Sequence, residues 1–219
     1  KTCSLAPSLA SIGDFSLSSS GCRIGNEIVV KQHTELAIRG DPTSDYLPTI
    51  QPTGLLDVAT NHRLFKVIGK LILEHVHLKG GNIPNPNSCS GEAGCFLTDR
   101  CGAQVYVGDT VSGLLTANIA LLEATSVLFT KGGLSTPKKP SRHGGSICVV
   151  GNLKEHGTGS TGGFSSSIPS DANISQAVLT GTTISDSKAS FGGGIAVLYA
   201  TLKLVGGKNV IENNTARTT

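Results

Sequence analysis

The sequence predicts an all-β fold, a parallel β-helix built from stacked coils. Three observations predict it. A three-part unit, a Gly-Gly turn into a short strand, a second strand and a third apolar position, recurs over roughly residues 62–219. The copies align part by part, and Gly-Gly pairs punctuate them at equivalent places. Self-similarity of this kind marks a solenoid, whose units cannot bury an apolar side alone and so share a core with their neighbours.

The cleanest copy is the last, Ala189-Ser-Phe-Gly-Gly-Gly-Ile-Ala-Val through Ile211-Glu-Asn-Asn-Thr-Ala-Arg217. Its parts are Gly192-Gly193, then Ile195/Val197, then Leu202/Leu204, then Ile211–Ala216. For the first part, Gly144-Gly145-Ser-Ile147-Cys-Val149, Gly102-Ala-Gln-Val105-Tyr-Val107 and Leu64-Phe65-Lys-Val67 take the same place. The third part recurs as Val76–Gly81, Val127–Gly133, Ile184–Ala189 and Ile211–Ala216, which pairs Lys79-Gly-Gly with Lys131-Gly-Gly. Alternation in Ile147-Cys-Val149 and Leu71-Ile-Leu73 is the strand period of two, and it turns the Ile, Val and Leu rows inward. A β-sandwich, with short strands between Gly-rich turns, is the alternative.

Taken in order, residues 1–33 lack the repeat and are expected to cap the first coil, with Ile28–Val30 as a strand. The helix itself is assigned to residues 34–219. Glu35–Gly40 begins the first regular coil, with Leu36 and Ile38 facing in. Asp41–Pro52 is a turn-rich excursion. A bare coil takes about 28 residues, so the wider spacing of Val67, Val107, Val149 and Val197 implies inserted loops. Loops 82–100 and 131–143 leave from one edge and loop 151–171 from another corner. Per-repeat insertions on one face are often the binding face. The last copy stops where the next Gly-Gly is due, and the first residue is Lys1, so the chain reads as a processed or excised part of something longer.

Six cysteines, Cys3, Cys22, Cys89, Cys95, Cys101 and Cys148, are read as disulfide partners, which suits a secreted or cell-surface chain. Cys3–Cys22 is the favoured pair, and the rest of the connectivity is open. No Cys-x-x-Cys occurs to suggest zinc. Asn173 and Asn213 begin glycosylation sequons. No apolar run spans a membrane. The basic run Lys138-Lys139-Pro-Ser-Arg142-His143 has no interleaved aromatics and reads as a solvated loop, so no nucleic-acid partner is expected.

Gly-Gly-x-Ile followed later by Ile-x-x-Asn-x-Ala resembles the repeat of chlamydial polymorphic outer-membrane proteins, which use Gly-Gly-Ala-Ile and Phe-x-x-Asn. Similar repeats occur on bacterial and protist surface proteins. The resemblance covers roughly residues 62–219. It is clear at Gly192–Ala216, looser at Gly144–Ala189, where Ser187 replaces the Asn, and weak before that. It implies a right-handed, pectate-lyase-like parallel β-helix with surface-display, adhesion or structural roles. It brings no catalytic residue.

Polysaccharide hydrolases and lyases on such folds need clustered carboxylates. The eight Asp are scattered, and no two carboxylates recur at one coil position in the alignment. Glu74-His75-x-His77 reads as one exposed strand, the two imidazoles opposite the carboxylate. Thr180-x-Thr182 occurs once, against the repeated ladder that ice binding needs. No cofactor, metal or catalytic residue is assigned. The expected function is a non-catalytic structural or interaction rod that presents loops to a protein partner, or self-assembles through an open coil end. The alternative is a polysaccharide-binding or polysaccharide-degrading module, with an ice-binding protein behind it. Tyr46, Tyr106, Lys138, Lys139 and Arg142 are the candidate partner-binding groups, with Tyr106 expected to face solvent above Cys148.

Overall fold

The computed structural model describes residues 3–4, 13–18, 21–53, 62–82, 101–108, 119–133, 141–151, 175–198 and 200–216. It is a parallel β-helix, and among the described residues there is no helix. Sheet 1 holds β4 (Ile28–Val30), β7 (Phe65–Val67), β10 (Val105–Val107), β14 (Ile147–Val150) and β18 (Ile195–Leu198). Sheet 2 holds β2 (Gly13–Ser16), β5 (Glu35–Arg39), β8 (Lys70–Glu74), β11 (Leu121–Thr125), β15 (Gln176–Thr180) and β19 (Thr201–Leu204). Sheet 3 holds β1 (Cys3–Ser4), β3 (Cys22–Ile24), β6 (Thr49–Pro52), β9 (His77–Lys79), β12 (Leu128–Thr130), β16 (Thr183–Ser185) and β20 (Val210–Glu212). A small sheet 4 of β13 (Ser141–His143), β17 (Lys188–Phe191) and β21 (Thr215–Ala216) joins sheet 3 to sheet 1 in the last coils.

The chain visits sheets 1, 2 and 3 in turn, and neighbouring strands are one coil apart. Alternation then stacks like on like. Val30, Val67, Val107, Val149 and Val197 form one continuous column. Leu36, Leu71, Leu122, Ala177 and Leu202 form another. In sheet 3, Leu78, Phe129, Ile184 and Ile211 follow each other. Column members within the middle coils are fully buried, among them Val67, Leu71, Leu78 and Phe129. Each buried aliphatic side chain contributes about 1.5–3 kcal/mol over its exposed state, which is why uniform rungs hold the rod.

The register refines the sequence alignment. Ile211–Ala216 lies against Ile184–Ala189 as aligned. Gly192 likewise falls opposite Gly144, because Ile195 pairs with Ile147. Lys79, however, pairs with Thr130, so Lys131 stands opposite Gly80 and the two Lys-Gly-Gly triplets are out of step by one. Leu78 and Phe129, not Val76 and Val127, stand in the Ile184 column. The Asp41–Pro52 excursion also shortens: β6 claims residues 49–52 for sheet 3. Strands β2, β3 and β4, within the expected cap segment, belong to the same three sheets.

Corners are tight. Lys131, Asp186 and Asn213, which follow β12, β16 and β20, all adopt left-handed φ of 57°, 56° and 54°. Asn and Asp tolerate this conformation best. Beside Asn213, the Asn214 amide oxygen accepts from Ser187 N at 3.0 Å and its amide nitrogen donates to Ile184 O at 2.9 Å. Ser187 repeats the service one coil earlier, accepting from Gly132 N at 3.2 Å. The Ser-for-Asn exchange thus keeps the corner's hydrogen bond. Gly145 is required by closeness: a Cβ there would lie 2.0 Å from Gly193 O and 2.7 Å from Lys188 N, both backbone atoms.

The inserted segments leave where expected. Asn82 and Gly133, the last described residues before two of them, are adjacent at one corner, since Gly133 N bonds Gly81 O at 3.2 Å. Gly151 precedes the third, at the corner between sheets 1 and 2.

Candidate functional site

Three outward faces and one coil edge carry the groups that chemistry or recognition would use. On sheet 2 the outward residues form charged ladders. Arg39 binds Glu74 at 2.7 Å and also Asp14, across three strands. Lys70 binds Glu35 at 3.3 Å and Glu123 at 3.2 Å. Burial pulls the Lys70 ammonium down, but Glu123 and Glu35 outweigh it and leave it raised. The sequence alignment brought no carboxylates together. The register does, because Glu35 and Lys70 pair directly and Glu123 lies diagonally beyond. The shared ammonium offsets one of the two carboxylate charges, and the two carboxylates stand 51% and 40% exposed on an open face. A glycosidase's general acid needs an apolar, shielded place. As cross-strand pairs these ladders fix register and contribute a few tenths of a kcal/mol each.

On sheet 1 the outward column is Val29, Lys66, Tyr106, Cys148 and Ala196. Alternation places Tyr106 outside, and it does stack beside Cys148. It does not face solvent: both are completely buried. A second, smaller apolar cluster covers this face, made of Cys101, Tyr106, Cys148 and Val150. Cys101 and Cys148 form a disulfide with Cα atoms 5.5 Å apart, which ties two coils across 47 residues of sequence. The Arg63 guanidinium lies 5.0 Å from the Tyr106 ring centroid, pairs with Glu27 at 2.5 Å and donates to Cys101 O at 3.1 Å. Tyr106 is therefore withdrawn as a partner-binding group. Its neighbours, not its own alternation, decide its exposure.

On sheet 3, His77 corrects the reading of Glu74-His75-x-His77 as one strand. Glu74 ends β8, His75 turns the corner at φ 52°, and His77 opens β9. His77 Nε2 lies 2.8 Å from Thr130 Oγ1 and Nδ1 3.3 Å from Thr49 Oγ1, so hydroxyls of the coils on either side hold the ring. Burial first, then Lys79, lowers its pKa to about 4. The unfolded chain takes up this proton near pH 6.5, and the fold resists it to about pH 4. Stability from this group is therefore full above pH 6.5 and falls as pH drops toward 4. We expect a loss of about 1–2 kcal/mol over that window after solvent screening. His77→Gln should flatten that part of the pH–stability curve. A curve identical to that of the native chain would remove the role given to His77.

The remaining sequence candidates fall as follows. Tyr46 is 77% exposed, beside a turn in which the Asp41 carboxylate accepts from Thr43 N at 2.8 Å. Arg142 belongs to β13, in a segment expected to be a loop. Lys138, Lys139, Asn173, Cys89 and Cys95 lie outside the described residues. Asn213 is exposed at its corner. Cys22 is disulfide-bonded, and β1 places Cys3 directly opposite it. Thr180 and Thr182 do not share a face: Thr182 is 1% exposed and donates to Ala124 O at 3.2 Å. Among the described residues no group of three or more His, Cys, Asp or Glu is placed to hold a metal ion.

The coil edge was not assigned by residue in the sequence. The columns that are sealed one coil earlier open there. Val149, Leu179 and Ile184 are at most 1% exposed, whereas their column successors Val197, Leu204 and Ile211 stand at 38%, 52% and 49%.

Comparison with known proteins places the chain in no family. No protein-family model, no curated protein and no solved structure matches it. What fold and faces define together is a class, the disulfide-stapled parallel β-helix.

Proposed function

We propose that the protein is a non-catalytic structural or interaction rod, secreted or displayed at a cell surface, that docks within a larger assembly and presents its inserted loops to a partner. The placing of the inserted segments carries this reading: two of them leave from one corner, where Gly133 N bonds Gly81 O at 3.2 Å, and insertions on one face of a repeat are often its binding face. Disulfides at Cys101–Cys148 and at Cys22 suit an oxidising compartment. The Gly-Gly-x-Ile and Asn-x-Ala corners support the likeness to repeat-built, pectate-lyase-like surface proteins.

One observation favours a second reading, a polysaccharide-active module: Glu35 and Glu123 converge on Lys70. The test is incubation with acidic and neutral polysaccharides, reading new reducing ends and unsaturated products. The rod reading expects background levels throughout. Turnover that disappears in Glu35→Gln or Glu123→Gln would overturn it.

A further inference from the structure

We propose that Tyr46 is a sulfation site, its phenol esterified with sulfate in an oxidising secretory compartment. The inference rests on the secreted reading above and adds a modification to it.

The setting begins in the sequence. Tyr46 follows Asp45 directly, Asp41 lies five residues before it, and Pro42 and Pro48 flank it. No lysine or arginine occurs between Arg39 and Arg63, and no cysteine between Cys22 and Cys89. An enzyme that adds an anion to tyrosine meets this acidic segment with cations of its own, and the neighbouring carboxylate marks the target. The other two tyrosines lack the setting. Tyr106 is fully buried, whereas Tyr46 is 77% exposed. Tyr199 has no Asp or Glu within five positions on either side.

The turn then presents the phenol. Its two ends are tied to the next coil: Gly40 N donates to Glu74 O at 2.8 Å, and His77 N donates to Pro48 O at 3.0 Å. Between these anchors the Asp41 carboxylate accepts from Thr43 Oγ1 at 2.6 Å and from Thr43 N at 2.8 Å. Those bonds hold the Asp41 carboxyl below its usual value, so it stays ionised in a mildly acidic lumen. Tyr46 is held through its backbone, whose N donates to Ser44 Oγ at 3.1 Å, and its ring is left to solvent. Arg39 is already engaged by Asp14 and Glu74.

The disulfides favour sulfate over phosphate, because they suit an oxidising lumen and not the cytosol in which tyrosine kinases act. In the transfer, the phenol oxygen attacks the sulfur of an adenylyl sulfate donor, a mixed anhydride of sulfate and a nucleotide phosphate. The new O–S bond forms as the S–O bond to the phosphate breaks. The nucleotide phosphate leaves, the phenol proton passes to a base on the transferase, and no atom is oxidised or reduced. The ester sets a fixed negative charge beside Asp41 and Asp45, a surface that arginines of a partner can read.

The experiment incubates the full folded chain with a tyrosine-directed sulfotransferase and labelled phosphoadenylyl sulfate, then maps the label by digestion. Label is expected on the peptide that holds Tyr46 and not on the one that holds Tyr106. Tyr46→Phe should abolish it. Asp45→Asn should slow it by about tenfold, the scale of one lost charge pair. Both substitutions fall on an exposed turn, and an unchanged circular dichroism spectrum checks that the fold is kept. A folded chain that takes no label at Tyr46, or an Asp45→Asn chain labelled at the native rate, overturns the proposal. So does native material that carries phosphate at Tyr46 in place of sulfate. A chain found in the cytosol counts instead against the secreted reading, and the labelling of the purified chain still decides the site.

Discussion

Phe129→Ala is expected to lower stability by about 3–5 kcal/mol, among the largest effects of any single truncation. Phe129 is fully buried in a central coil, between Leu78 of the coil before and Ile184 of the coil after. Its ring fills the shared interior. The loss has two parts, the transfer of the ring from water and the cavity left behind. The cavity persists because the surroundings cannot close on it. Coil spacing is set by backbone ladders on all sides, so neighbouring rungs cannot slide inward as a helix might. Leu204→Ala supplies the contrast. It stands in an inner column too, but at the exposed edge, and should cost under about 1 kcal/mol. The chain has no Trp, so urea unfolding is best followed by circular dichroism. Equal losses for the two substitutions would refute the assignment of Phe129 to a sealed interior and of Leu204 to an open one.

That contrast shows which parts of the fold were legible. Inner columns announce themselves because strand period and coil repeat act on the same residues. Val67, Val107, Val149 and Val197 could be stacked from the sequence and are stacked in the structure. Where one of those signals weakened, register drifted. Matching Val76 and Val127 to Ile184 was an error of two residues, which leaves every side chain on its proper face. Alternation therefore cannot detect it, although it would expose a slip of one. The Lys-Gly-Gly match failed for another reason. Lys131 takes the left-handed corner that Gly80 takes one coil earlier, so likeness of letters hid a difference of place.

The faces were harder to read than the core. Alternation states which way a side chain points and not what lies over it. The ladder Glu35–Lys70–Glu123 joins residues up to 88 positions apart in sequence, and only the register brings them together. His77 was misplaced because a single left-handed residue, His75, divides one apparent strand into two on different sheets.

Arg63→Ala tests the least legible of these features, the covering of Tyr106, and is expected to cost about 2–4 kcal/mol. Arg63 stands 5% exposed and serves three groups at once: Glu27 at 2.5 Å, Cys101 O at 3.1 Å and the Tyr106 ring at 5.0 Å. Truncation leaves Glu27 without its cation and uncovers an aromatic ring beside the disulfide. Arg63→Lys should recover only part of the loss, because an ammonium keeps the charge but not the plane that lies over the ring. Glu27→Gln should cost less than Arg63→Ala, since Glu27 is 28% exposed and water replaces some of what it loses. In the double variant the two costs should fall short of their sum by about 1 kcal/mol, the mark of direct coupling. Additive costs would mean that the pair is a surface contact, and that Tyr106 and Cys148 are sealed without help from Arg63. A shortfall would establish that this face is closed by a charged lid held from the preceding coil. In that case the outer side of sheet 1 is structural.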